Sequence, residues 1–561
     1  MVFMRLPQMI VACLLLASPL KAEGHSGMVS AADPRAAAAG VEILRAGGSA
    51  VDAAIATLLA LNVVEPQSSG IGGGGFAVID DGKGHVATLD GRETAPMVAD
   101  GTWFFRDGQP MTFAQAVPGG RSVGVPGTVA LMALEHRRYG RLAWQRLFAP
   151  AIRLARQGFV LSPRLHMALE NAKAMAASSP EGRSLYYSEQ GSAKPVGSVI
   201  RNPALAGFLE TLARNGASAF YAGANARAVA HAVSHATANP APMTISDLTA
   251  YRAKDRPAVC STYRGYRLCG MGPPSSGATT VFGVLGMLER FDLAALGKDS
   301  AVAWHLIAEA ERLAYADRER YLADSDFAPV PLAGLVAPDY LAKRSLLISP
   351  DGTMASAPAG EPDGAPLAQA DTLTPDIPST SHFVVIDRRG QVVTQTSTIE
   401  SAFGSGLMVN GYFLNNELTD FSLVPEQNGK LVANRVEGGK RPRSAMAPTL
   451  VYDPQGHLRL AIGAAGGATI PVQLVRAIIG VVDWKLTAQQ AIALPVLFAP
   501  GQAVIIEQGT RLEAMIPALN ALGHTNVQMR TMPLKANAIE LIDGKISGAA
   551  DPRSEGAAVG E

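Results

Sequence analysis

Neither sign of charge is in excess in this chain, which has 48 Lys plus Arg and 48 Asp plus Glu among 561 residues. A formal charge of zero offers no field that would gather a polyanion, so a nucleic-acid partner is not expected. Cysteine is scarce, at three residues. No run of about 18 apolar residues occurs beyond the N-terminal segment, which excludes a membrane-spanning helix in the body of the chain. Repeats of solenoid length are missing too. His, Cys and acidic residues nowhere stand at metal-ligand spacing, so neither a metal nor an organic cofactor is expected.

What is present begins with a leader. Residues 1–22 carry Arg5, the apolar run Met9 to Ala17, and then Ser18-Pro19-Leu20-Lys21-Ala22. This reads as a signal peptide cut after Ala22, with periplasmic or secreted export as its consequence. Export means oxidising conditions, and that gives the two remaining cysteines a meaning. Val259 to Gly270 reads as a hairpin with Arg264-Gly265 at its turn, and counting outward pairs Tyr263 with Tyr266 and Cys260 with Cys269. A disulfide fits there, and two buried thiols fit almost as well.

Along the chain, Asp33-Pro34-Arg35 opens a helix that Gly47-Gly48 closes, and Val51 to Val64 is an alanine-rich second helix. Gly70 to Gly75 fits G-x-G-x-x-G, but a helix precedes it and the strand-like Phe76 to Asp80 follows, the reverse of a dinucleotide site. The stretch from Gly127 to about Lys343 has mostly helical spacing. Asp351 to Pro378, rich in Pro, Gly and Ala, reads as a surface loop. Period-two runs follow at Phe383–Asp387 and Val392–Thr396, then a helix over Ile470–Val482. Interleaved strands and helices of this kind suit two sheets between helical layers.

Ser379-Thr380 stands at the mouth of the Phe383 strand, just after Pro375-Asp376-Ile377-Pro378. A cut before Thr380 would give one residue both a nucleophilic hydroxyl and an α-amine, whose pKa of about 8 lets it accept the hydroxyl proton at neutral pH. Four motifs follow in order: Thr394 to Glu400, Leu414 to Phe421, Lys440 to Met446, and Gly463-Ala464-Ala465-Gly466-Gly467. Together they resemble the small subunit of the γ-glutamyltransferases, a family of N-terminal-nucleophile hydrolases, and the resemblance extends from about Gly27 to Ser554.

The resemblance implies an α+β chain with the four-layer αββα fold. It implies a precursor cut between Ser379 and Thr380 into a large chain, residues 23–379, and a catalytic small chain, residues 380–561. It also assigns roles. Thr380 is the nucleophile, Thr398 orients it, and the N–H groups of Gly466 and Gly467 form the oxyanion hole. Arg92 takes the donor's α-carboxylate together with Ser444 and the position of Ala445. Asp420, with Glu417 and Glu400, takes the α-ammonium. Those three acids would repel one another unless a cation lay between them, and the donor's ammonium is expected to be that cation. Glutathione is the implied donor, and water or an amino acid the acceptor.

The chain departs from the family in places. Ala445 stands where a second serine is usual, and Arg443, where leucine is common, could replace its donor by turning inward. Ala464-Ala465 replace a usual Ser-Pro. Ser422 to Gly439 has no aromatic residue to close a lid over the pocket. Two rival readings remain: a glutaryl or cephalosporin acylase of the same fold, whose substrates lack the ammonium, and a non-catalytic envelope protein that kept the fold.

Overall fold

The computed structural model describes residues 26–366, 370–371 and 379–561. The leader read over residues 1–22 and the segment Pro375 to Pro378 lie outside them.

The chain folds as two antiparallel sheets between two helical layers, so the expected αββα architecture is present. The first sheet uses β1 (Met28–Ala31), β2 (Gly74–Asp80), β3 (Val86–Asp90), β4 (Lys254–Arg256), β7 (Thr380–Ile386), β8 (Val392–Thr398) and β13 (Ala557–Gly560), in the order β13-β1-β7-β8-β2-β3-β4. The second uses β5 (Val259–Tyr263), β6 (Tyr266–Gly270), β9 (Thr449–Tyr452), β10 (Leu458–Ala465), β11 (Lys535–Ile542) and β12 (Lys545–Ala550), in the order β12-β11-β10-β9-β6-β5. Helices α1 (Pro34–Arg45) and α2 (Ala50–Val64) cover the first sheet, and α3 (Gly277–Leu288), α4 (Ala301–Tyr321) and α5 (Ile470–Val482) cover the second.

Local chemistry explains these elements. The Asp33 carboxylate accepts from the N–H of Arg35 at 2.8 Å and Pro34 sits at the first helical position, so α1 starts there. Ser49 and Asp52 form a reciprocal capping box that opens α2. Every residue of α2 is buried, which requires cover on all sides. Burial of Leu58, Leu59 and Leu61 contributes about 1.5–3 kcal/mol each.

Alternation along β7 sends Phe383 and Val385 toward α1 and α2, and Val384 and Ile386 toward the second sheet. Thr380 and His382 share the latter face. His382 meets Thr396 Oγ1 at 2.8 Å and Thr394 Oγ1 at 3.2 Å, and burial pushes its pKa down to about 3. It is a neutral structural histidine between the sheets.

The predicted hairpin is present with the predicted register, and Cys260 and Cys269 are joined as a disulfide, which decides between the two readings of that pair. No helix among the described residues is long and apolar enough to cross a membrane. The glycine run at residues 70–75 links α2 to β2 and opens no helix, so the dinucleotide reading is absent in structure as well.

Candidate active site

The hairpin β7–β8 sets the nucleophile's surroundings. Its register runs from Ile386↔Val392 to Thr380↔Thr398, so the two threonines are directly opposed on one face. Thr380 Oγ1 lies 3.3 Å from Thr398 Oγ1. The Thr398 hydroxyl donates to the carbonyl of Ser379 at 2.9 Å and accepts from the N–H of Glu400 at 2.8 Å. The carbonyl ahead of Thr380 is thus polarised by the same side chain that touches the Thr380 hydroxyl.

Glu400 follows β8 with φ of 72°, a left-handed conformation that costs a non-glycine residue about 1–3 kcal/mol and commonly marks functional sites. Its carboxylate accepts from Ser401 Oγ and, at 2.6 Å, from Asn416 Nδ2. Glu417–Asp420 is a single 3₁₀ turn, in which residues three apart eclipse. Both of its acids therefore point the same way, and Arg92, in the loop after β3, meets them. Arg92 Nη1 donates to Glu417 and Nη2 to Asp420. Its remaining donors reach Pro442 O at 3.1 Å and Arg443 O at 2.9 Å.

This arrangement corrects one expectation. The cation between Glu417 and Asp420 is the protein's own Arg92, not a group awaited from the donor. Arg92 is fully buried. Burial alone would lower its pKa, yet Glu417 and Asp420, backed by Glu93, hold it above the ordinary arginine value. Glu93 was not singled out in the sequence, although it adjoins Arg92. It is completely buried, 3.9 Å from Arg92 Nη1, with neither carboxyl oxygen hydrogen-bonded among the described residues. Burial, and then the charge of Glu417, push its pKa well above the carboxylate range. Glu400 is raised likewise by burial, then by Asp420 and Glu417.

Across from the acids, β10 ends at Ala465, and Gly466 and Gly467 follow with φ of 139° and 57°. A Cβ on Gly466 would lie 2.6 Å from Thr469 Oγ1, so both conformation and space require glycine there. The Gly466 carbonyl is held by Thr469 Oγ1 at 2.8 Å, and that of Ala465 by Gln473 Nε2 at 2.8 Å. Ala464 and Ala465 pair with Ala536 and Lys535 within the sheet, so the departure from Ser-Pro leaves a regular strand leading into the turn.

One cavity gathers Arg92, Thr380, Thr398, Glu400, Glu417, Asp420, Ser444, Ala445 and Gly467. Gly466 faces a second groove that also borders Thr380. The loop over residues 272–277 braces the cavity wall, with Ser275 Oγ donating to Met446 O at 2.6 Å and Ser276 Oγ to Ser444 O at 2.7 Å. Arg443 does not turn inward. Its guanidinium donates to Arg318 O at 3.0 Å and Glu319 at 2.7 Å, because Glu319 supplies the countercharge that a buried arginine needs. The expectation of no metal-like cluster is also corrected. His305 and Glu309 of α4 and the distant His524 bring ligand atoms within 4.8 Å of one another. These atoms are already engaged: His305 Nδ1 meets His524 Nε2 at 2.7 Å, and Glu309 accepts from Arg312, Thr353 and Met354.

The chain as a whole is similar to known proteins. The chain is 33% identical to "Glutathione hydrolase proenzyme" of Bacillus subtilis (strain 168) over 552 residues, covering 96% of this chain and 92% of that protein. It is also 33% identical to "Acylase ACY 1 proenzyme" of Pseudomonas sp. (strain V22), covering 96% and 94%. Among solved structures, cephalosporin acylase from Bacillus halodurans superposes with a TM-score of 0.83 at 26% identity, covering 98% of this chain and 99% of the other. The family model for gamma-glutamyltranspeptidase matches residues 36–561, and the chain belongs to the γ-glutamyltranspeptidase family.

Proposed function

We propose that this protein is an exported γ-glutamyltransferase and glutathione hydrolase, made as a precursor that cuts itself between Ser379 and Thr380. The observation that carries the reading is the single cavity with Thr380 at one end and Arg92 bonded to Glu417 and Asp420 at the other. An α-amino-acid zwitterion suits such a pair. Its carboxylate takes an N–H of Arg92 and its ammonium takes the acids, so charges exchange one for one and no uncompensated charge is buried.

In the precursor, Thr380 Oγ attacks the Ser379 carbonyl that Thr398 polarises. The C–N bond breaks, the Thr380 nitrogen takes the proton and becomes the free α-amine, and water then hydrolyses the resulting ester, returning the Thr380 hydroxyl and leaving Ser379 as a carboxylate. In turnover that amine accepts the hydroxyl proton as Oγ attacks the γ-carbonyl of glutathione. The N–H groups of Gly466 and Gly467 stabilise the oxyanion, each worth about 3–4 kcal/mol in the transition state. Cysteinylglycine leaves with the proton, and water or an amino acid resolves the γ-glutamyl ester. Side-by-side assay of a γ-glutamyl and a glutaryl anilide tests the reading. Faster cleavage of the glutaryl compound would favour the acylase alternative suggested by the similarity to Acylase ACY 1.

Two further results are expected. Ala445→Ser should lower KM for γ-glutamyl donors about tenfold or more with kcat little changed, since a hydroxyl donor to a carboxylate is worth about 1.5–3 kcal/mol. Arg443→Leu should leave donor KM alone, because Arg443 is spent on Glu319. An unchanged KM in the serine variant would show that the donor carboxylate lies elsewhere. Donor binding should also release a proton. Glu400 is held neutral by burial and its acidic neighbours, and an arriving ammonium favours its ionised form. Donor affinity should therefore rise with pH through the elevated Glu400 pKa, and Glu400→Gln should flatten that rise. Calorimetry in buffers of different ionisation enthalpy, using an inert donor analogue, counts the proton. Equal apparent enthalpies in all buffers would refute its release.

A further inference from the structure

Thr380 borders a second, larger groove of ≈ 500 Å³ whose lining contains none of the acids around Arg92, and Gly466 and Ser379 also lie on it. If the cavity around Arg92 holds the γ-glutamyl group, whatever is attached to the scissile carbonyl must leave into this groove. Met167, Met532 and Pro533 give it an apolar wall. Its cations are Arg164, Lys535 and Arg553.

Two of these cations are fully occupied. Lys535 Nζ is bonded to both oxygens of Glu65, at 3.1 and 2.9 Å, and is 1% exposed. Arg553 is held by Asp551 and Glu507 and by the carbonyls of Leu494 and Ile492. Arg164 differs. Its backbone N–H donates to Glu555 at 2.9 Å, but its guanidinium has, among the described residues, only Glu65 at 4.0 Å from Nε. Glu65 is already taken by Lys535 and by Ser381 Oγ at 2.6 Å. Shared in this way, it leaves the Arg164 guanidinium without a hydrogen bond among the described residues. Through Ser381, the residue after the nucleophile, Glu65 also fixes Arg164 near Thr380.

We propose that Arg164 recognises the terminal carboxylate of the peptide on the leaving side of Thr380: the glycine carboxylate of glutathione in the forward step, and that of a peptide acceptor in transfer. A guanidinium with free N–H groups matches a carboxylate's geometry. The inference rests on the γ-glutamyl reading above and assigns the other half of the same site.

The test compares glutathione with its glycine monoethyl ester, in which that carboxylate is masked, on the processed enzyme and its Arg164→Ala and Arg164→Lys variants. Arg164→Ala should raise KM for glutathione about tenfold, change kcat/KM for the ester less than twofold, and remove the wild-type preference between them. Arg164→Lys should restore part of it. Equal losses on both substrates would show a merely structural role and overturn the assignment, as would an unchanged KM for glutathione. Wild-type enzyme that cleaves neither substrate would instead overturn the γ-glutamyl reading itself, and this assignment with it.

Discussion

Thr380→Ala should yield one uncut, inactive chain on a denaturing gel, where the unaltered protein gives two chains with the smaller beginning at Thr380. The variant lacks the hydroxyl that contacts Thr398, the side chain that also holds the Ser379 carbonyl. Cleavage and turnover use the same oxygen, so both should fall by several orders of magnitude. Its stability should hardly change, since Thr380 lies at a strand end and its hydroxyl makes one long contact. Appearance of both chains in the variant would mean that another protease makes the cut, and self-processing would be abandoned. A wild type that stays uncut would favour the envelope-protein reading.

The second large effect is expected at Arg92. Arg92→Ala leaves Glu417 and Asp420 facing each other inside the protein, with Glu93 and Glu400 beside them. Removing one partner of a buried ion pair costs about 3–5 kcal/mol, because the other keeps its desolvation penalty. Thermal unfolding and kcat/KM on glutathione should both drop sharply. The loss of stability should have a definite pH dependence. Unfolded carboxylates ionise at about pH 4, and losing Arg92 removes the charge that holds the Glu417 pKa down against burial. The deficit is therefore largest at neutral pH and shrinks as pH falls toward 4, where the acids are protonated in both states. Arg92→Lys should rescue little, since one ammonium cannot serve two carboxylates and two carbonyls in fixed directions. A variant with unchanged melting temperature and efficiency would remove Arg92 from both the fold's electrostatics and the site.

Much of the site could be read from the chain because its parts are local. Strands on either side of Asp387–Gln391 fix a hairpin, and pairing outward from Ile386 and Val392 places Thr380 opposite Thr398 whatever the rest of the molecule does. The Cys260–Cys269 pairing follows from its turn in the same way, though the sequence could not say whether the sulfurs join. Glu417 and Asp420 share a direction because three residues make one 3₁₀ turn. What could not be read is who answers them. Arg92 lies 325 residues from Glu417, and no periodicity carries information over that distance. Glu93 went unnoticed for the same reason: an exposed glutamate after an arginine would look identical in sequence. Arg443 could turn either way until Glu319 was placed beside it, and His305, Glu309 and His524 meet only because the segment carrying His524 packs against α4.

The sequence by itself determined the register of the Cys260–Cys269 hairpin, the first helices, the strand-like runs after Thr380 and the family, since these rest on local propensity, on alternation and on motifs in fixed order. The tertiary structure alone decided the electrostatics of the pocket: that Arg92 is bonded to Glu417 and Asp420, that burial raises the pKa values of Glu93 and Glu400, and that Arg164 lines a groove bordering Thr380. Charge is additive in a sequence, but its energy depends on burial and on distances set by packing between remote segments.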